Sequence, residues 1–232
     1  MDRRNFHRLC SGLVAGAATL HTLPGSARAD AAKGWPRSAL ALNEKETVTL
    51  ESLKKGDSFV FSYPYRTTPC FLIRLDHSAP ANGSWPGGLG SDQSVVAFSA
   101  ICSHKMSHPA KPISHITFRP ETIEYMDQHH HHQSAAGLIT CCSEHSVFDP
   151  AKAGKVLSGP APTPLAAIAL ETDSDGHIYA VGSIGPDQYE RFLDKFGFRL
   201  TMEYDVSDAR TLAAERTLVT PADTFSDQQI RC

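Results

Sequence analysis

Two short groups of ligand-type residues stand out in the chain. Cys102-Ser103-His104 offers a thiolate and an imidazole with one residue between them. Cys142-Ser143-Glu144-His145 offers a second pair with two residues between them, and 37 residues separate His104 from Cys142. Two sulfurs and two imidazole nitrogens close a four-ligand site, and that donor set suits zinc or an iron–sulfur cluster. Zinc takes such a set as a tetrahedron. A [2Fe–2S] cluster takes it with both sulfurs on one iron and both imidazoles on the other. The unequal spacing favours the cluster, because zinc fingers separate their paired ligands by two or more residues.

The segments that must position these groups read as strands. Residues 47–50, 58–62, 70–75 and 94–100 are short β-branched or aromatic runs, punctuated by Pro, Gly, Asn and Asp. Residues 80–90 are rich in Pro and Gly and read as an exposed loop. Residues 165–171 and 177–182 form an expected hairpin around Asp173-Ser174-Asp175-Gly176. A helix is expected over 187–196, where Tyr189, Phe192, Leu193 and Phe196 fall at helical spacing. Residues 200–232 are polar and weakly patterned, and a loose tail is expected there. The reading is a mostly antiparallel β domain with one long excursion, about 101–164, that contains all the candidate chemistry.

At 232 residues, 41% of them hydrophobic, the chain builds one domain with a real core. A net charge of -3 with scattered Lys and Arg excludes a nucleic-acid interface. Six cysteines are too sparse for a disulfide scaffold. Residues 1–29 read as an export signal: a basic start with Arg3-Arg4, an apolar run over 9–20, and Ala27-Arg28-Ala29 as a cleavage pattern. The arginine pair followed by Asn5-Phe6 points to a twin-arginine signal and a periplasmic protein exported in folded form. The mature chain would begin near Asp30, without Cys10. An ordinary secretory signal and an uncleaved anchor are the alternatives, although a dozen apolar residues fall short of the roughly 20 that span a bilayer.

With these motifs in order, the chain resembles the Rieske proteins, most of all the small subunit of arsenite oxidase and its exported relatives. The strand Ser94-Val95-Val96-Ala97-Phe98-Ser99-Ala100-Ile101 enters the first box as it does in that family. Ser146-Val147-Phe148-Asp149-Pro150 and Ala153-Gly154 follow the second box, and Gly159-Pro160-Ala161-Pro162 resembles the proline loop that covers the cluster. Residues 58–64 and Thr68-Pro69-Cys70 resemble the arsenite oxidase subunit in particular. The resemblance implies an all-β, Rieske-type antiparallel sandwich over 30–185, with the cluster subdomain at about 101–164 and a C-terminal helix and extension over 186–232. It implies one [2Fe–2S] cluster on Cys102, His104, Cys142 and His145. It also implies an electron-transfer subunit, not a catalytic chain, working between a larger oxidoreductase (a molybdenum enzyme in the relatives) and a carrier such as a c-type cytochrome. The Rieske subunit of a quinol-oxidising cytochrome bc complex and a zinc-stabilised binding module without redox chemistry are the rivals. A Rieske oxygenase would need a catalytic domain for which 232 residues leave no room.

The departures from the family matter. Many relatives join the two loops by a disulfide, and Ser107 and Glu144 stand at those positions in the chosen register. The loops therefore need another brace, which the long insertion can supply. A gapless register would make Cys141 the ligand and put Glu144 in the second histidine's place. It is set aside because it leaves the site one imidazole short, so Cys141 is expected to be a neighbour. After the second box only Ser146 retains a hydroxyl, since Val147 and Phe148 cannot donate a hydrogen bond. A potential below the top of the Rieske range is expected. The outer nitrogens of the two histidines would face the partner, and the resemblance implies a pH-dependent potential. His129-His130-His131-His132 reads as an exposed polar loop or a weak metal site, and His108 and His115 as possible linings of the cluster face. Cys70 reads as a buried structural thiol, and Cys232 as a free one.

Overall fold

The structure, a computed structural model, describes residues 32–232. The expected signal at 1–29, its cleavage site and Cys10 lie outside those residues. In chain order the first strands are β1 (Lys33–Ala41), β2 (Ser58–Ser62), β3 (Pro69–Arg74), β4 (Val95–Ser99), β5 (Ile116–Arg119), β6 (Ile123–Met126) and β7 (His132–Ala135). They are followed by β8 (Leu138–Cys141), β9 (Ser146–Asp149), β10 (Lys155–Ser158), β11 (Ala167–Thr172), β12 (Ile178–Ile184), β13 (Arg216–Leu218) and β14 (Thr220–Pro221). The α-helices among the described residues are α1 (Tyr189–Glu203) and the single turn α2 (Ala222–Phe225), and a 3-10 turn spans Pro150–Lys152. The chain is all-β, as expected.

The main sheet runs β13-β1-β12-β11-β4-β3-β2-β14, and the cluster subdomain is a smaller sheet, β10-β9-β8-β5, beside the hairpin β6-β7. Within the named strands, pairing is antiparallel except where β13 joins β1. Successive strand side chains point to opposite faces, and β3 and β4 use both. Phe71, Ile73, Val96 and Phe98 face Ile116, Phe118, Ile139 and Phe148 of the small sheet. Cys70, Leu72, Val95 and Ala97 face the other way, onto Leu40, Val48, Ile168 and Ile178. One core therefore ties the two sheets together, and both loops of interest emerge from it.

The helix runs past its expected end because Leu200 continues the stripe of Tyr189, Phe192 and Leu193. Gly197 lies inside the helix, where an added Cβ would meet Ala209 at 3.7 Å. The tail is not loose. β13 and β14 extend the main sheet at both edges, and backbone bonds at 2.8 Å tie Asp227 N to Lys111 O and Ile230 N to Ser114 O. No helix among the described residues is long and apolar enough to cross a membrane.

Candidate metal centre

The first loop leaves the buried end of β4. Ala100 N donates to Pro69 O at 2.9 Å, and Ile101 and Met106 pack into the α1 cluster with Tyr189, Phe192 and Leu193. Between those anchors the loop closes on itself, with Met106 N on Cys102 O and Cys102 N on Ser107 O, both at 2.9 Å. The second loop is the turn 142–145 between β8 and β9.

Strand alternation decides which cysteine of the second loop faces the first. Ile139 and Cys141 lie two apart and so share a face, and both belong to the core that holds Cys102. Cys102 and Cys141 are each 1% exposed and share one core cluster, near enough for each to shift the other's proton affinity. Cys142 falls beyond the strand, and its sulfur is bonded to that of Cys232. Two expectations are thereby corrected. Cys142 is held in that disulfide, and Cys141, set aside on spacing, lies in the core with Cys102. Cys232, expected free, is in a disulfide.

The imidazoles lie at the rim. His104 Nδ1 is buried with no hydrogen-bond partner, although the side chain as a whole is only partly buried. His145 is exposed and adopts the left-handed region at φ 56°. The Glu144 carboxyl lies below its usual range, first through its hydrogen bond with Lys105 across the two loops and then through the Lys105 charge, with His104 and His145 as lesser neighbours. Both rings therefore neighbour one carboxylate.

The thiol pair shares protons unequally. Cys141 is pushed down by the hydrogen bond from Cys102, which outweighs burial, and the Ser143 N–H and the Ser107 and Ser143 hydroxyls push the same way. Cys102 is pushed up by that same contact and by burial, against the His104 and Lys105 N–H groups. Thiolate is the form that binds metal. A buried sulfur pair with one member held toward thiolate, beside a buried imidazole nitrogen with nothing to bond, fits a metal centre. A bound metal would resolve the orphaned nitrogen, which otherwise costs about 1–3 kcal/mol.

In place of an inter-loop disulfide, Ser107 Oγ and Ser143 Oγ are hydrogen-bonded at 2.7 Å. Ser143, not Glu144, faces Ser107, as the shift to Cys141 requires. The insertion adds a brace, since Cys142 N donates to His115 O at 2.7 Å. The proline loop holds both sides: Ser103 Oγ donates to Thr163 O at 2.7 Å, and Ala161 N donates to Ser146 Oγ at 3.2 Å. The double variant Ser107→Cys/Ser143→Cys is expected to oxidise to a disulfide and raise stability by about 2 kcal/mol. Non-reducing peptide mapping and urea unfolding measure the two effects.

His108 packs edge-on against Phe192, 4.7 Å between ring centroids, with Nδ1 on Met106 O at 2.8 Å. Burial lowers its pKa to about 4. Unfolded, the ring takes a proton near its ordinary value of about 6.5. The stability due to the neutral ring is therefore full above about pH 6.5 and is lost as the pH falls toward 4. That loss is about 3 kcal/mol at about 1.4 kcal/mol per pH unit, and His108→Gln is expected to flatten it in urea titrations run across that interval. His129 to His131 lie in the exposed turn between β6 and β7, and exposed His132 opens β7; Asp127 accepts the His129 and His131 N–H groups at 2.8 and 3.0 Å. Cys70 is buried as expected, with its Sγ donating to Tyr63 O at 3.0 Å.

A scan against protein-family models finds no match. The chain is similar to two curated proteins named iodate reductase subunit IdrB. It is 30% identical to that of Pseudomonas sp. (strain SCT) over 188 residues, 80% of each chain. It is 34% identical to that of Denitromonas iodatirespirans over 187 residues, 80% of this chain and 82% of the relative. Among solved structures, the soluble domain of the Rieske protein II (soxF) from Sulfolobus acidocaldarius covers 66% of this chain and 80% of its own, at 26% identity and a TM-score of 0.45. With that identity over four-fifths of the sequence, the chain belongs to the family of the iodate reductase subunit IdrB.

Proposed function

We propose that the chain holds one [2Fe–2S] cluster on Cys102, His104, Cys141 and His145 and relays single electrons between a larger oxidoreductase subunit and a carrier such as a c-type cytochrome. The observation that carries this reading is the burial of the Cys102 and Cys141 thiols in one core cluster, with the partnerless Nδ1 of His104 two residues from Cys102. When bound, such a cluster supplies one-electron chemistry at a potential raised by its neutral imidazole ligands. The chain's own residues provide position and access. Phe98, Phe148 and Ile139 keep water from the sulfur side, while the exposed His145 and part-buried His104 leave a rim at which a partner can dock.

The larger subunit is inferred from the relatives, whose name makes them parts of an iodate reductase, and the Rieske resemblance makes a molybdenum enzyme the candidate. We place the protein in the periplasm, delivered by the twin-arginine signal in residues 1–29. Redox titration of the cluster-loaded protein, followed by mixing the reduced form with a c-type cytochrome, tests the relay. Rapid reoxidation supports it, and a reduced protein that no cytochrome reoxidises contradicts it.

Ser146 is the hydroxyl available to tune the potential. It is fully buried and accepts from Ala161 N, which leaves its own proton to donate. Ser146→Ala is expected to lower the midpoint potential by roughly 20–60 mV, the one-electron equivalent of a single neutral hydrogen bond. The same titration reads that shift.

A further inference from the structure

Residues 227–232 run beside the start of the insertion. Asp227 N donates to Lys111 O, Ser114 N to Gln228 O and Ile230 N to Ser114 O, each at 2.8 Å, and Arg119 donates to Cys232 O at 3.3 Å. The segment ends on the turn between the two proposed ligands of the second loop, where Cys232 is bonded to Cys142, 90 residues away. Cys142 follows Cys141 directly and opens the turn that carries His145. Its backbone N is held by His115 O, the neighbour of Ser114. The same stretch of chain therefore grips the turn and the segment, and the disulfide joins them. Elsewhere the two cluster loops are joined only by noncovalent contacts, Ser107 with Ser143 and Lys105 with Glu144.

We propose that residues 227–232 are a covalent clamp on the cluster, and that Cys142 and Cys232 are positioning residues that hold the turn bearing Cys141 and His145. The clamp takes over, from the outside of the turn, the work that an inter-loop disulfide does elsewhere in the family. A crosslink across a long loop narrows the states open to the segments it joins, and the segment joined here lies next to the proposed ligands. The proposal rests on Cys141 being the ligand.

The test uses the full-length, cluster-loaded protein and the variants Cys232→Ser and Cys142→Ser/Cys232→Ser. Both are expected to assemble a cluster, to lose it about tenfold faster to an iron chelator, and to show a shifted paramagnetic resonance spectrum and midpoint potential. A merely global loss of stability would not move the last two. Adding Ser107→Cys/Ser143→Cys to the double variant is expected to restore slow loss. Unchanged loss rate, spectrum and potential would overturn the clamp, as would free thiols at positions 142 and 232 in non-reducing peptide maps of the wild-type protein. Failure of the underlying reading is distinct: Cys141→Ser would then keep its cluster and Cys142→Ser would have none.

Discussion

Cys141→Ser is expected to give a folded, colourless protein with less than about a tenth of the wild-type iron, whereas Cys142→Ser/Cys232→Ser keeps its colour. The asymmetry between neighbouring cysteines follows from the strand that carries them. Cys141 is paired in register with Ile116 on β5 and Ser146 on β9, and it enters the core beside Cys102. A serine there keeps the volume and the backbone pairing. It cannot serve as a thiolate, because a hydroxyl does not ionise in the range open to a thiol, and soft sulfur is what iron–sulfur centres require. The donors gathered on Cys141, the Ser143 N–H and the hydroxyls of Ser107 and Ser143, would then solvate an oxygen that holds no iron. Iron and acid-labile sulfide per chain, measured on purified protein, decide the matter. Normal iron in Cys141→Ser would refute the ligand assignment.

Gly159→Val is expected to cost about 2–5 kcal/mol and to lower cluster occupancy together with stability. Gly159 sits at φ +81°, and a Cβ there would lie 2.5 Å from His145 O, 2.6 Å from Ser146 Cα and 2.8 Å from His145 C. All three are backbone atoms, so no side chain can swing aside. A left-handed conformation costs a residue with a Cβ about 1–2 kcal/mol, and forcing atoms into a packed site adds about 1–3 kcal/mol. The displaced residue is the proposed ligand His145 itself, which couples the strain to the metal. Gly176 supplies the control. It has φ +79° with nothing within 4 Å of an added Cβ, so Gly176→Ala is expected to cost only the conformational part and to leave iron content unchanged. Urea unfolding and iron analysis on both variants separate the two effects.

Much of this site is legible in the residues. Strands β2, β3 and β4 follow from runs such as Val95-Val96-Ala97-Phe98, and Cys102 with His104 follows from their spacing. The choice between Cys141 and Cys142 does not, because adjacent identical residues differ only in the face they occupy. Local spacing favours Cys142, which has two residues between it and His145. The signal that favours Cys141 is the alternation of Ile139 and Cys141 along β8, which counts only once that strand is known to line the core. Cys232 was illegible for another reason. A disulfide pairs residues across 90 positions, and connectivity is not encoded locally. The tail looked loose because its backbone, through Asp227, Gln228 and Ile230, makes the docking contacts, and these need no hydrophobic pattern. The structure also places Ser143 opposite Ser107, a pairing that local spacing does not show.

Pulsed paramagnetic resonance of the dithionite-reduced, full-length protein reads the metal's own neighbours. Two inequivalent imidazole nitrogens coupled to the unpaired electron are predicted, one lost in His104→Ala and the other in His145→Ala. A silent sample containing zinc, or a reduced cluster with no coupled imidazole nitrogen, would contradict a cluster shared between two thiolates and two histidines.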